Sequence, residues 1–168
     1  APFRTVKYAC EYVANTYDND TVNTTIFVKT GIYEEILPIK VPRNCALVGD
    51  ELRSTVITPS PTYISSDMFY VNNGSGIRNM TLQGLTGEVG TPNQYFTRRP
   101  TGGAFVSLDP GVGPDDQSVW IINKSCYVQN VTTFGTGCIG MKLDGSLHNG
   151  GNKSVVANDF TQVLSDGI

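Results

Sequence analysis

The stretches Ile77-Arg78-Asn79-Met80-Thr81-Leu82, Val128-Gln129-Asn130-Val131-Thr132-Thr133 and Val156-Ala157-Asn158-Asp159-Phe160-Thr161 decide the reading of the fold. Each is a β-prone run with an asparagine at the same place, so one strand–turn–strand unit recurs along the chain. An asparagine at such a corner takes the left-handed backbone conformation at little cost, because its short amide bonds locally. Stacked on one another, Asn79, Asn130 and Asn158 form a side-chain amide ladder inside the coil. The pattern predicts an all-β chain wound as a right-handed parallel β-helix, a solenoid of successive rungs. Reading Asn-Met-Thr and Asn-Val-Thr as glycosylation sequons decides nothing, since Asn19, Asn23, Asn73, Asn123 and Asn152 stand in the same N-x-S/T context.

Composition points the same way. The 168 residues include 18 Gly and 9 Pro, carry few charges and have a formal net charge of -3. Thr, Val, Ile, Asn and Gly dominate over the strong helix formers, which favours strands. The length suits one domain, or about seven rungs of 20 to 25 residues each. Arg98-Arg99 is the only basic pair, too little to neutralise a run of phosphates, so nucleic acid is not the expected partner. Cys10, Cys45, Cys126 and Cys138 lack any C-x-x-C spacing, and the single histidine is remote from them. Buried free thiols are expected rather than zinc, with a disulfide left open. No run of about 18 apolar residues is present, so no membrane insertion is expected. No cofactor is expected either.

Along the chain, Thr5 to Asn15 is the one convincing helix. Val6, Ala9, Cys10 and Val13 share a face, Lys7 and Glu11 form an i,i+4 pair, and Thr5 is placed to cap it. Residues 1–20 are therefore expected to be a capping helix and loop, and 21–168 the rungs. Within the rungs, 85–117 is a long loop insertion, punctuated by Gly and Pro around Ala104-Phe105-Val106-Ser107-Leu108. Insertions of that length are commonly functional and collect on one face of a repeat protein. The chain ends at Val163-Leu164-Ser165-Asp166-Gly167-Ile168 as if in mid-rung, so a longer parent protein is expected.

The segment Thr30-Gly31-Ile32-Tyr33-Glu34-Glu35, followed by Ile39, Leu47-Val48-Gly49-Asp50 and Ser54-Thr55-Val56-Ile57, resembles the opening coils of pectin-methylesterase-like and pectate-lyase-like β-helices. That likeness covers roughly residues 3 to 58. In the remainder, the stretches Asp67 to Asn73, Asn93-Gln94-Tyr95, Arg98-Arg99-Pro100-Thr101 and Gly145 to Ser154 are similar to virion structural proteins of tailed phages infecting marine cyanobacteria. The resemblance implies a tail fibre, tailspike or baseplate-associated component, extracellular on the virion, commonly a homotrimer. Its implied partners are other tail proteins and host surface polysaccharide.

The residues lean away from catalysis. The esterase family's acidic strand motif and its Gly-Arg-x-Trp motif are absent; the single tryptophan, Trp120, follows Val119. A lyase needs a basic residue beside calcium-binding acids, and Lys124, Lys142 and Lys153 have no acidic cluster with them. The alternative function is a polysaccharide hydrolase or lyase acting on host envelope glycans. For hydrolysis its carboxylates would come from Asp109, Asp115, Asp116, Asp144 and Asp159. The same acids read as turn residues, and His148 in its Gly-rich loop reads as a turn filler. Glu34 and Glu35 read as structural, one facing solvent and the other satisfying backbone donors near the turn. Tyr95, Phe96, Arg98 and Arg99 are the expected recognition set. Aromatic faces stack on sugars and arginines pair with acidic groups, but the same residues suit a subunit interface.

Overall fold

In the computed structural model of the protein, residues 2–18, 21–71, 74–87, 103–107 and 127–142 are described, with 162–165 described by backbone alone. The chain opens with helix α1 (Val6–Thr16). Thr5 is its N-cap, in extended conformation, and its hydroxyl oxygen accepts from the Tyr8 N–H at 3.2 Å. Val6, Ala9, Cys10 and Val13 lie on its buried face. Strands follow as β1 (Thr24–Val28), β2 (Gly31–Glu35), β3 (Ile39–Val41), β4 (Cys45–Gly49) and β5 (Thr55–Pro59). Next come β6 (Phe69–Val71), β7 (Gly76–Thr86), β8 (Ala104–Ser107), β9 (Tyr127–Thr136), β10 (Ile139–Lys142) and β11 (Gln162–Ser165).

Among the described residues every strand pairing is parallel, and two sheets result. The larger has seven strands, with the order β1-β4-β7-β5-β2 and with β9 joining β7 to β11. The smaller runs β10-β8-β6-β3. In the larger sheet Ile26, Leu47, Ile77 and Val128 stand in register across β1, β4, β7 and β9 and point inward. Tyr33, Ile57, Leu82 and Thr133 do the same across β2, β5, β7 and β9. The smaller sheet faces this core with Ile39, Phe69 and Val106 in register. Full burial of such a side chain contributes about 1.5–3 kcal/mol, more than the roughly 1 kcal/mol net of a ladder hydrogen bond. The inward rows therefore set the register.

The long strand β7 explains the shape. Its first residues pair with β4 (Ala46 to Val48 with Gly76 to Arg78), and its later ones with β5 (Val56 with Thr81, Ile57 with Leu82). Between the two lies Asn79 at φ 57°, a left-handed corner inside a continuous strand. The same device recurs at Asn130 in β9, φ 50°. In the earlier layer the corner is a loop instead, Asp50 to Ser54. There Glu51 closes the turn by accepting from the Arg53 and Ser54 N–H groups and the Ser54 hydroxyl. Those bonds, the Ser54 hydroxyl's first, hold the Glu51 carboxyl below its ordinary value.

These pairings correct the expected class. The described residues form a curled, half-barrel parallel sheet with a second parallel sheet against it, not a right-handed parallel β-helix of stacked equal rungs. The strand path turns back through β7, which takes the place of two separate strands, so the layers are unequal. The physical reason is that an Asn corner bends one strand without breaking it, and a bent strand curls the sheet it belongs to. The short helix α1, expected at the N-terminus, is minor beside the strands and places Val6, Cys10 and Val13 in the same core. Strand β8 lies inside the segment expected to be a loop insertion, and Ala104, Phe105, Val106 and Ser107 are all buried.

Candidate functional site

Three features give the described surface its chemistry. The first is the Asn corner. The Asn130 side-chain amide donates to Oδ1 of Asn79 at 3.3 Å. The pair lies toward solvent rather than inside the coil, with Asn79 half-buried and Asn130 exposed. The left-handed turn is possible because Gly49 on the neighbouring strand leaves room. A Cβ at Gly49 would stand 1.9 Å from the Asn79 carbonyl oxygen. Asn158 lies outside the described residues. A third left-handed asparagine, Asn44 at φ 52°, precedes β4 and carries no repeat signature.

The second is the join between α1 and the sheet. Glu35, at the end of β2, is 1 % exposed and accepts from the Val6 N–H at 2.5 Å and the Lys7 N–H at 3.2 Å. It satisfies two of the orphan donors at the helix N-terminus. The donors expected for it were those of its own turn, whereas the structure supplies them from 28 and 29 residues away. Burial pushes its carboxyl above the ordinary value, against the two N–H bonds and the Lys7 charge, which pull it down. Glu34, by contrast, is exposed.

The third is the distribution of apolar side chains on the surface. Among the described residues, eight of the ten large hydrophobic side chains left exposed fall between Phe3 and Ile36. Phe3 packs its ring 5.6 Å from that of Tyr8 and 5.1 Å from that of Tyr12, on the outer side of α1. Phe27 on β1 and Ile32 on β2 are 72 % and 75 % exposed, and both strands end the path of the larger sheet. The outward rows on the strands beside them are milder. Thr25, Ala46, Gly76 and Tyr127 make one row, and Phe27, Val48, Arg78 and Gln129 the next.

Of the residues singled out from sequence, Tyr95, Phe96, Arg98 and Arg99 lie outside the described residues. So do Asp109, Asp115, Asp116, Asp144, Asp159, His148, Trp120, Lys124, Lys153 and Cys126. Cys10 and Cys45 are buried free thiols and Cys138 is a half-buried one. Burial raises all three, with Cys45 and then Glu35 adding to the rise at Cys10. Among the described residues no group of three His, Cys, Asp or Glu side chains stands ready for a metal ion. No described helix is long and apolar enough to cross a membrane. Sequence reasoning missed Glu35's role as a helix cap and the outward patch around Arg78 and Tyr127. A Gly at the head of a strand, Gly76, was the available signal for a close approach there. In comparisons with known proteins, no family model, no curated protein and no solved structure matches the chain to a significant degree.

Proposed function

We propose that this chain is a structural component of a phage virion tail (a fibre, spike or baseplate-associated part) working in assembly or host-surface attachment. The observation that supports it is the exposed apolar end formed by α1, β1 and β2. Exposed large apolar side chains concentrated in one part of a fold commonly mark a contact surface. Tyr and Phe dominate it, the residue types enriched where proteins dock. The scaffold beneath suits that role, because a curled parallel sheet with rows of buried aliphatic side chains resists deformation.

The reading has a direct test in solution. Full-length protein examined by analytical ultracentrifugation should form a stable oligomer, or join a complex with other tail proteins. Replacing Tyr8 and Tyr12 by Ser should weaken that association without unfolding the chain, because both side chains face solvent. A strictly monomeric protein that enters no particle would overturn the proposal.

A further inference from the structure

The outward patch where β7 meets β9 has a composition the apolar end lacks. Tyr127 pairs in register with Gly76, and its ring lies directly over that glycine. Ring atoms Cδ2, Cε2 and Cγ come within 2.4–2.5 Å of where a Gly76 Cβ would stand. One ring face is thus pinned to the backbone, and the half-exposed residue presents the other outward. Two residues further along the same face come Arg78 and its register partner Gln129, on strands about 4.8 Å apart. Arg78 is exposed, and among the described residues no acidic side chain pairs with it. Asn130 follows at the corner. It is exposed, and its side-chain amide donates to Asn79.

We infer that Tyr127, Arg78, Gln129 and Asn130 form a binding platform for a sugar chain that carries carboxylate or sulfate groups. A fixed aromatic face stacks on the apolar face of a pyranose and loses little side-chain entropy, because Gly76 already holds the ring flat. The Gln129 and Asn130 side-chain amides carry both donors and acceptors for sugar hydroxyls. The Arg78 fork pairs with an acidic substituent and supplies the preference for charged over neutral chains. A protein partner would want a larger apolar centre than a single ring. The inference deepens the proposed function and rests on its attachment role, since it names what the attachment surface would recognise.

The test is affinity electrophoresis of the full chain through gels containing polygalacturonate, dextran sulfate or neutral dextran. Both acidic polymers, or one of them, should retard the wild type more than dextran does. Arg78→Gln should weaken the acidic interaction about tenfold or more, the range for a charged hydrogen bond. Lys40→Gln removes the same charge from an exposed position on β3 and should change retardation less than twofold. Tyr127→Leu still covers Gly76 but offers no ring face, and should weaken binding to acidic and neutral chains alike. Thermal melts of each variant show that the fold is kept. Absence of retardation by all three polymers would overturn the inference. Equal losses for Arg78→Gln and Lys40→Gln would overturn it too, as would retardation of an intact Arg78→Gln variant like the wild type. If the chain is absent from virions yet binds as described, the tail reading fails while the platform stands. If it assembles into tails and binds no polysaccharide, the platform alone fails.

Discussion

Gly49→Ala probes the central device of the fold, the left-handed corner at Asn79. A methyl at position 49 would stand 1.9 Å from the Asn79 carbonyl oxygen, 2.9 Å from its carbon and 3.1 Å from Cγ2 of Thr55. The obstacle is backbone, so no side chain can swing away to relieve it. The corner must retreat by about 1 Å to reach the 3.0 Å below which real contacts are essentially never seen. That movement pulls β7 from β4 at Val48–Arg78 and from β5 at Val56–Thr81, the pairs on either side of the corner. Two ladder hydrogen bonds weakened at about 1 kcal/mol each, with overpacking strain of about 1–3 kcal/mol, give a loss of about 3–5 kcal/mol. At roughly 2–4 °C per kcal/mol for a chain of this size, the melting temperature should fall by about 6 °C or more. The assay is urea denaturation followed by far-UV circular dichroism, with the slope compared between variant and wild type to check that the same surface unfolds. A loss below about 0.5 kcal/mol, the ordinary range for a harmless surface change, would refute the reasoning.

Other perturbations have equally definite outcomes. Asn79→Val puts a β-branched residue at φ 57° and should cost about 2 kcal/mol or more, whereas Asn79→Gly should cost less than half as much; the same denaturation assay compares them. Glu35→Ala leaves the Val6 and Lys7 N–H groups without their acceptor and should cost about 2–4 kcal/mol, with loss of helical signal as α1 detaches. Because the Glu35 carboxyl titrates above 4.5 in the folded chain, its protonation favours folding. Its contribution is complete below pH 4.5 and is lost as the pH rises through the folded value. The stability difference between wild type and Glu35→Gln should therefore shift in favour of the wild type on acidification toward pH 4.5, and a pH-independent difference would contradict the assignment. Cys10 and Cys45 should resist alkylation in the native protein, with Cys138 modified first of the three, as read by mass spectrometry.

The sequence was most informative where one residue type does one job. Asparagine at a corner, alternation of Ile77 and Arg78, and the apolar face of Val6, Ala9, Cys10 and Val13 all identify local structure by their period. Asn79 and Asn130 meet across strands 51 residues apart, and that spacing is visible in the chain. What the pattern did not contain was how the layers join. Nothing in Leu47-Val48-Gly49 or Val56-Ile57 says that two separate strands share one bent neighbour, β7, so equal rungs were expected where the sheet curls unequally. Glu35 looked like a turn residue because its donors lie on α1, far away in sequence. Tyr95, Phe96, Arg98 and Arg99 are legible as a recognition set because aromatic and basic residues are adjacent in sequence, and they lie outside the described residues. Tyr127 and Arg78 are 49 positions apart and become neighbours only through strand register.

The most direct test of the account is the copy number and position of this chain in native particles, from mass measurement and cryo-electron microscopy. The account predicts a fixed copy number within a virion tail, with the end formed by α1, β1 and β2 covered by a neighbouring subunit. A free secreted protein that shortens an acidic polysaccharide, and is found in no particle, would contradict it.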